Sequence, residues 1–316
     1  MEHRSYMRRG QRASIVLLTI IFLLPSTLSM GEEVELTAVE REVEIVRILP
    51  HDPTSFTQGL EVLNDSLIES SGLYGMSRLS QISSKNGDLI RQTPIEESYF
   101  AEGITIMGNS IIMLTWKSGI ALEFELTNFT EIGNFSFEGE GWGICFNGQH
   151  LVTSNGSSEL SFRNPKSFKI DYTIEVTWDE EPVLNLNELE CVGNKIFANV
   201  WMQDIILSIS PTSGKVDFFA SPVSITSEQG NGPNEVLNGI AYDPALDGFW
   251  ITGKNWTNYY LIDFVMKEEI QLSEGIFENH QTKISSAVFF TSLLLILYHF
   301  RKKKDPETPN FKDSHH

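Results

Sequence analysis

The sequence has few of the residues that build metal sites and disulfide frameworks. Its 316 residues include only two cysteines and seven histidines. Two cysteines exclude a disulfide-rich scaffold, although they permit one bridge. Only three histidines, His51, His150 and His280, lie within residues 30–283, and no spacing typical of metal ligands is present. A Gly-x-Ser-x-Gly motif and a Cys-His arrangement are also missing, so the sequence predicts no metal, no cofactor and no familiar nucleophile.

Basic residues are scarce and are concentrated at the ends of the chain. The sequence has 23 Lys and Arg against 42 Asp and Glu, which gives a formal net charge of −19. Nine of these bases lie in residues 1–12 and 301–316. The strongly acidic centre would repel nucleic acid, so we expect no nucleic-acid partner. A solvated acidic surface explains the charge without any other partner.

The first 29 residues predict a signal peptide. Residues 1–29 begin with several arginines, continue with an apolar run from Ala13 to Leu24, and end with small residues that include Thr27 and Ser29. A basic start, an apolar middle and small residues before a cleavage site are typical of secretory signals. The sequence leaves open whether this segment is cleaved.

The other end of the chain predicts a membrane anchor. Residues 284–300 are mostly apolar and would span about 25 Å as a helix. Four basic residues follow at once, which predicts a cytoplasmic tail over 301–316 and places the domain of residues 30–283 outside the cell membrane. A buried core helix is the alternative for 284–300. Five sequons agree with a glycosylated exterior domain: Asn64, Asn128, Asn134, Asn155 and Asn255.

Five short stretches of the central part share one pattern. They are Phe56-Thr-Gln-Gly-Leu60, Phe100-Ala-Glu-Gly-Ile104, Glu140-Gly-Trp-Gly-Ile144, Leu186-Asn-Glu-Leu189 and Leu237-Asn-Gly-Ile240. In alignment, position four is glycine in every copy except the fourth, which has Glu188, and position five is always aliphatic. The copies follow one another at steps of 44, 40, 45 and 51 residues. Such regular spacing predicts a repeated structural unit.

Each copy is followed by segments that read as β-strands. The second segments are residues 66–70, 111–116, 150–154, 195–201 and 248–252, and turn signals such as Asn86-Gly87 and Asn147-Gly148 separate the segments. Three or four strands in about 45 residues predict the blade of a propeller. The fold class is therefore all-β, a five-bladed β-propeller, with a β-sandwich as the alternative. Residues 43–49 have no partner in the first unit, and we expect them to add to the last blade as its outer strand.

Position three of the repeat predicts a functional site. The first strand of every blade lines the central channel, and position three differs in each copy: Gln58, Glu102, Trp142, Asn187 and Asn238. Trp116, Ser154, Trp201 and Lys254 occupy corresponding places after the second strands. Aromatic walls with one lysine and one glutamate suit a small cationic or amide ligand. A purely structural ring of hydrogen-bonded polar side chains is the alternative.

The same numbering places the two cysteines on opposite faces of their strands. Cys145 occupies position six of its copy and Cys191 position seven of the next. Because side chains alternate along a strand, we expect two buried thiols rather than a disulfide.

Several motifs together resemble the plant-type glutaminyl-peptide cyclotransferases. They are His51-Asp-Pro-Thr-Ser-Phe-Thr-Gln-Gly-Leu60, Glu69-Ser-Ser-Gly-Leu-Tyr-Gly-Met-Ser-Arg78, Phe100-Ala-Glu-Gly-Ile-Thr105, Leu186-Asn-Glu-Leu-Glu190, Ala198-Asn-Val-Trp201, Val236-Leu-Asn-Gly-Ile-Ala-Tyr-Asp243 and Thr252-Gly-Lys-Asn-Trp256. The match runs in order from about residue 43 to 266. Members of this family are five-bladed propellers, which agrees with the repeat count.

The resemblance implies an activity and a site. Family members convert the N-terminal glutamine of a peptide into pyroglutamate and release ammonia, without the zinc of the unrelated animal-type cyclases. It implies catalytic roles for Glu102, Lys254 and Asn187, with Glu102 as a proton shuttle. It also implies substrate-binding roles for six residues: Phe56, Gln58, Phe100, Trp116, Trp142 and Trp201. The expected partner is a peptide or protein with N-terminal Gln.

Two departures from the family pattern bear on the site, and one alternative function stays open. The family usually has an acid at Asn155 and a proline at Thr257, and both changes create sequons, one of them next to Lys254. A glycan on Asn255 would obstruct the pocket. The alternative is a non-catalytic, membrane-anchored propeller that binds peptide termini or glycans.

Overall fold

The computed structural model describes residues 38–229 and 232–267. Within these ranges the chain forms 22 β-strands and one short helix, which confirms the all-β class. No helix in the described part has the length and apolar character needed to cross a membrane. The predicted signal peptide (1–29), the transmembrane helix (284–300) and the tail (301–316) all lie outside the described residues.

After a first strand, β1 (Val39–Pro50), the chain forms three four-stranded antiparallel sheets. Their strands are β2 (Thr57–Leu63), β3 (Ser66–Ser71), β4 (Arg78–Ser83) and β5 (Leu89–Pro94), then β6 (Ala101–Met107), β7 (Ser110–Thr115), β8 (Ile120–Glu125) and β9 (Glu131–Ser136), then β10 (Ile144–Phe146), β11 (Leu151–Thr153), β12 (Glu159–Arg163) and β13 (Ile170–Glu175). Each sheet is a meander of strands that are consecutive in sequence. This arrangement is that of a propeller blade.

A small hairpin leads into a larger sheet of eight strands. The remaining elements are β14 (Thr177–Trp178), β15 (Glu181–Pro182), β16 (Leu186–Val192), β17 (Lys195–Val200), β18 (Ile206–Ile209), β19 (Val216–Ala220), α1 (Val223–Gln229), β20 (Leu237–Asp243), β21 (Gly248–Gly253) and β22 (Asn258–Met266). The large sheet has the order β16-β17-β18-β19-β1-β22-β21-β20. It therefore consists of two blade-like halves that meet at β1.

Strand β1 pairs with both halves of the eight-stranded sheet. It runs antiparallel to β22, with Val43 opposite Phe264, and parallel to β19, with Val39 opposite Phe218. The prediction that residues 43–49 add to the last unit as its outer strand is confirmed. Apolar side chains of this strand, such as Val43 and Leu49, pack against the cores of the last and first units.

Two elements of the described residues were not predicted, a short hairpin and a short helix. The β14–β15 hairpin lies in the step of 45 residues before Glu188, and α1 lies in the step of 51 residues before Gly239. Neither segment is long enough to show a clear periodicity. Both are insertions between blade-like units, so they leave the strand order within each unit unchanged.

The first strands of the repeats pack closely on one another. They contact in the order β2, β6, β10, β16 and β20, and β20 also contacts β2. The glycine at position four permits this approach. A Cβ added to Gly103 would lie 2.6 Å from the carbonyl oxygen of Trp142, and one added to Gly59 would lie 2.5 Å from the amide nitrogen of Ile104. Any side chain at these two positions would clash with the neighbouring backbone, so the packing of the first strands requires glycine there.

The fourth copy has a glutamate at the glycine position and uses it differently. The Glu188 carboxylate is buried and accepts hydrogen bonds from the backbone N–H groups of Leu60, at 3.3 Å, and Ile240, at 2.9 Å. These two residues lie on β2 and β20, the first strands of the first and last repeats. Glu188 therefore ties together the two ends of the series of repeats.

The prediction of two free thiols was wrong. Cys145 and Cys191 form a disulfide, and their Cα atoms lie 5.4 Å apart. The residues belong to β10 and β16, the first strands of neighbouring blade-like units. Opposite faces of two adjacent blades face each other, so side chains on opposite faces of successive strands meet at the interface. The alternation argument holds within one sheet and fails between stacked sheets.

Candidate active site

One pocket brings together the nine side chains for which the sequence predicts catalytic or substrate-binding roles. Its volume is about 230 Å³. It is lined by Phe56, Gln58, Leu73, Phe100, Glu102, Trp116, Trp142, Asn187, Trp201, Asn234 and Lys254. Nine of these eleven residues are the predicted catalytic and substrate-binding residues. Three of them lie on β2, β6 and β16, and the others lie shortly before the first strands or shortly after the second strands of the repeats.

Glu102 lies on β6 and is buried at the base of an apolar pocket, with 6 % of its surface exposed. Burial raises the pKa of its carboxyl group well above the usual range, and the negative charge of Glu140 raises this pKa further. The positive charge of Lys254 acts in the opposite direction. Among the described residues the Glu102 side chain has no hydrogen-bond partner, so its carboxyl group is available to a ligand.

Lys254 follows β21 and is also 6 % exposed. Burial lowers the pKa of its ammonium group, and the charge of Glu102 opposes this change. Its Nζ atom lies 4.9 Å from the centroid of the Phe56 ring, and its backbone N–H donates to Val236 at 2.9 Å. An acid with a raised pKa and an amine with a lowered pKa therefore occupy the same pocket.

Asn187 and Gln58 supply neutral polar groups. The Asn187 Oδ1 atom is buried and has no hydrogen-bond partner among the described residues. Its backbone carbonyl is held by the Ser154 hydroxyl at 2.6 Å. Gln58 Oε1 accepts a hydrogen bond of 3.2 Å from Asn238 Nδ2. Asn238 itself does not line the pocket, so four of the five position-three side chains reach the site and the fifth orients one of them.

A buried hydrogen-bond network holds β2, which carries Gln58, and the residues just before it, which include Phe56. Glu69 accepts hydrogen bonds from His51, Ser55 and Thr57, and a fourth from the Tyr259 hydroxyl at 2.7 Å. Burial alone would raise the pKa of Glu69, but the charge of His51 and the hydrogen bonds from His51, Ser55 and Thr57 lower it to about 2. His51 thus has a structural place behind the pocket.

Aromatic rings form most of the pocket wall. The Trp142 and Trp201 rings meet edge to face with centroids 5.7 Å apart, and the Phe100 and Trp116 centroids are 5.4 Å apart. Phe56 and Phe100 also meet edge to face, at 6.2 Å. Contacts of this kind fix the orientation of each ring and exclude water from the space between them.

Three residues at the site were missed by sequence reasoning. Leu73 has a φ of 89°, an uncommon conformation for leucine, and it lies next to Gly72 in a loop with turn residues. Asn234 lies in the loop before β20 and has no distinctive sequence signal. Glu140 contacts two of the pocket tryptophans. Glu140 could have been found, because it occupies position one of the third repeat, where the first two repeats have Phe56 and Phe100.

Within residues 38–229 and 232–267, no group of three or more His, Cys, Asp or Glu side chains is arranged so that it could hold a metal ion.

Together the fold and the site define a class of protein. It is an all-β protein with propeller-like blades, whose polar pocket residues lie where the first strands of successive blades begin. The model of the glutamine cyclotransferase family matches residues 17–264. The chain therefore belongs to the glutamine cyclotransferase family.

Two relatives agree with this assignment. The chain is 33% identical over 239 residues to a glutaminyl-peptide cyclotransferase of Arabidopsis thaliana, and the match covers 74% of this chain and 75% of that protein. The crystal structure of a Myxococcus xanthus glutaminyl cyclase superposes with a TM-score of 0.69 at 29% identity. That match covers 73% of this chain and 100% of the bacterial one.

Proposed function

We propose that this protein is a glutaminyl-peptide cyclotransferase, which converts the N-terminal glutamine of a peptide into pyroglutamate and releases ammonia. The observation that carries the proposal is the placement of Glu102 and Lys254 in a buried aromatic pocket of a member of this family. In the reaction the α-amine attacks the side-chain amide carbon of the same residue. A C–N bond forms, the bond to the amide nitrogen breaks, and one proton passes from the amine to the departing ammonia.

The first task of the pocket is to hold the glutamine in a folded conformation. The amine and the amide carbon belong to one residue, so the reaction needs only the correct bend of a short chain. A volume of about 230 Å³ with aromatic walls suits a compact, folded side chain. Trp142 and Trp201 close one side of the pocket and keep water away, so that cyclisation is favoured over hydrolysis.

Glu102 is the proton shuttle in this proposal. An α-amino group has a pKa of about 7.7, and burial raises the pKa of Glu102 well above its usual range. A raised carboxyl pKa lies closer to the pKa of the amine, which makes proton exchange between the two groups easier in both directions. Glu102 therefore takes a proton from the attacking amine and returns it to the leaving nitrogen. The missing hydrogen-bond partner of Glu102 is supplied by the substrate.

The side-chain amide of the substrate is bound by three polar residues of the pocket, Lys254, Gln58 and Asn187. Carbonyl attack places negative charge on the amide oxygen, and the Lys254 ammonium and the Gln58 amide are donors for that oxygen. The unpartnered Asn187 Oδ1 is an acceptor, so it suits an N–H of the substrate rather than the developing oxyanion. None of these assignments requires a metal ion.

We also propose that the units form a five-bladed propeller anchored on the outer face of a membrane. The cycle of contacts from β2 through β6, β10, β16 and β20 back to β2 supports a closed ring. The sequence patterns of residues 1–29, 284–300 and 301–316 support a domain of residues 30–283 with a signal peptide, one anchor helix and an inner tail. Fractionation of cells with and without residues 284–300 tests the anchor.

Glycosylation is a further part of this proposal. Four of the five sequon asparagines are exposed, namely Asn64, Asn128, Asn134 and Asn155. The Asn255 side chain is partly buried and donates to the carbonyl of Pro53 at 2.9 Å, so we expect no glycan next to Lys254. Enzymatic deglycosylation followed by mass spectrometry of the tryptic peptides checks each position.

Ammonia release by the purified full chain tests the proposed activity. The substrate is a dipeptide with N-terminal Gln, and the same dipeptide with N-terminal Glu is the control. We expect turnover that resists a chelator and falls roughly a hundredfold or more in Glu102→Gln, because proton transfer is lost. Glu131→Gln, at an exposed position of β9, is the matched control. No turnover by folded protein would contradict the proposal and favour the non-catalytic alternative.

A further inference from the structure

We propose that Glu140 is a positioning residue for the cyclisation, which fixes Trp116 and Trp142 as walls of the pocket and supplies a negative charge that acts on Glu102. This inference rests on the proposed function, since the pocket is the substrate site only if the protein is a cyclotransferase. Glu140 does not line that pocket, so it acts through other residues.

A single carboxylate oxygen of Glu140 serves both tryptophans. The indole N–H of Trp116 donates to Glu140 Oε2 at 2.8 Å, and the indole N–H of Trp142 donates to the same atom at 3.0 Å. The two rings belong to different blade-like units, because Trp116 follows β7 and Trp142 precedes β10. One charged acceptor therefore sets the orientation of two walls. Hydrogen bonds to a charged acceptor are about twice as strong as those to a neutral one.

The second carboxylate oxygen of Glu140, Oε1, is paired with Lys117. Lys117 Nζ lies 3.5 Å from Glu140 Oε1 and 3.9 Å from the centroid of the Trp116 ring. Lys117 thus covers the outer face of Trp116 while its charge balances that of Glu140. Glu140, Lys117, Trp116 and Trp142 form one connected group, which we call the tryptophan clamp.

The protonation state of Glu140 suits this role. Burial alone would raise its pKa, but the hydrogen bonds from Trp142 and Trp116 and the charge of Lys117 lower it. Glu140 is therefore ionised throughout the neutral range. The groups that act on Glu102 are Lys254, which favours the charged carboxylate, and Glu140, which disfavours it. The clamp therefore affects both the walls of the pocket and the acid within it.

Two substitutions separate these effects. Glu140→Gln keeps an oxygen that accepts an indole hydrogen bond and removes the charge, whereas Glu140→Ala removes both. For Glu140→Ala we expect KM to rise and kcat/KM to fall at least about tenfold, because both walls lose their anchor. For Glu140→Gln we expect a smaller loss, together with a shift toward lower pH of the limb of the pH profile that belongs to Glu102. Glu138→Gln, two residues away and exposed, is the matched control.

A second measurement does not depend on turnover. The chain has six tryptophans, so an isotope-labelled full chain gives six indole N–H signals by NMR, and Trp116→Phe and Trp142→Phe assign two of them. We expect both signals to move in Glu140→Ala and neither to move in Glu138→Gln.

The outcomes distinguish the two proposals. Turnover by wild type with unchanged indole signals and an unchanged pH profile in both Glu140 variants would overturn the clamp and leave the proposed function intact. The indole signals could instead move in Glu140→Ala while the wild-type chain shows no turnover. That result would support the clamp contacts but overturn the role in catalysis together with the proposed function. If Glu140→Ala fails to fold, Glu140→Gln decides through its pH profile: a shift toward lower pH supports the role, and an unchanged profile overturns it.

Discussion

The ammonium nitrogen of Lys254 lies 4.9 Å from the centroid of the Phe56 ring, and both residues share the pocket with Glu102. The positive charge of Lys254 favours the ionised form of Glu102. For Lys254→Met we therefore expect the Glu102 limb of the pH profile to move toward higher pH, and kcat to fall roughly a hundredfold because an oxyanion donor is lost. The profile of kcat/KM against pH checks the direction.

The shift of the pH profile expected for Lys254→Met is opposite in sign to the shift expected for Glu140→Gln. Lys85→Met removes an exposed surface charge that pairs with Asp65 and is the control. A Lys254→Met enzyme whose pH profile overlays that of wild type would contradict the coupling between Lys254 and Glu102.

The disulfide makes a prediction about stability. Cys145 and Cys191 are separated by 46 positions in sequence, and their bond joins two neighbouring units. Closing a loop of this length stabilises a folded chain by about 2–4 kcal/mol. We expect Cys145→Ala with Cys191→Ala to lower the free energy of unfolding by this amount, as measured in urea. A reducing agent should destabilise wild type equally and leave the double variant unchanged. Equal midpoints for reduced and oxidised wild type would argue against this contribution.

Acid should destabilise the network around Glu69. Its pKa is about 2 in the folded protein, below the ordinary value of 4.5, so its contribution is fully present above pH 4.5 and is lost as the pH falls toward 2. The difference corresponds to about 3 kcal/mol. We expect Glu69→Gln to destabilise the protein at pH 7 and to flatten the acid limb of stability against pH. Tyr259→Phe, which removes one of the four hydrogen bonds, should have a smaller effect at every pH.

Glu61 should change the dependence of stability on pH in the opposite direction to Glu69. Burial raises its pKa from 4.5 to about 7, although hydrogen bonds from Thr105 and the Ile106 N–H lower it somewhat. A raised carboxyl pKa favours folding below pH 4.5, and this contribution is lost as the pH rises to about 7. We expect Glu61→Gln to gain stability relative to wild type between pH 5 and pH 8. Unfolding in urea at pH 5 and pH 8 measures the free energy of unfolding of both proteins. A difference between variant and wild type that is the same at both pH values would refute the raised pKa of Glu61.

Local sequence patterns predicted the repeat well because the repeat is made of local interactions. Hairpins are set by residues a few positions apart, so the second strands at residues 66–70, 111–116 and 195–201 were found with small errors at their ends. The outer strand at residues 43–49 could be predicted because it lacked a partner in its own unit. The β14–β15 hairpin and α1 were missed because each is too short for a periodic signal.

Contacts between blades were harder to predict. The disulfide between Cys145 and Cys191 was missed because the alternation of side chains says which face of a strand a residue occupies, but not which face of another sheet lies opposite. The same limit applies to the contact between Glu140 and Trp116, which belong to different units. Glu188 breaks the glycine pattern, and only the packed structure shows that its carboxylate binds the backbone N–H groups of Leu60 and Ile240.

The sequence by itself determined the all-β class, the repeat and seven of the nine predicted side chains that gather in the pocket, because the period of the repeat places equivalent residues at equivalent ends of strands. The other two, Phe56 and Phe100, were implied by the resemblance to the family. Only the tertiary structure decided in which direction burial and neighbouring charges shift the pKa values of the ionisable groups in that pocket. The pKa of Glu102 depends on burial and on the charges of Lys254 and Glu140. These three residues come from three separate repeats. Burial and distance between residues far apart in the chain are products of packing, and no local pattern encodes them.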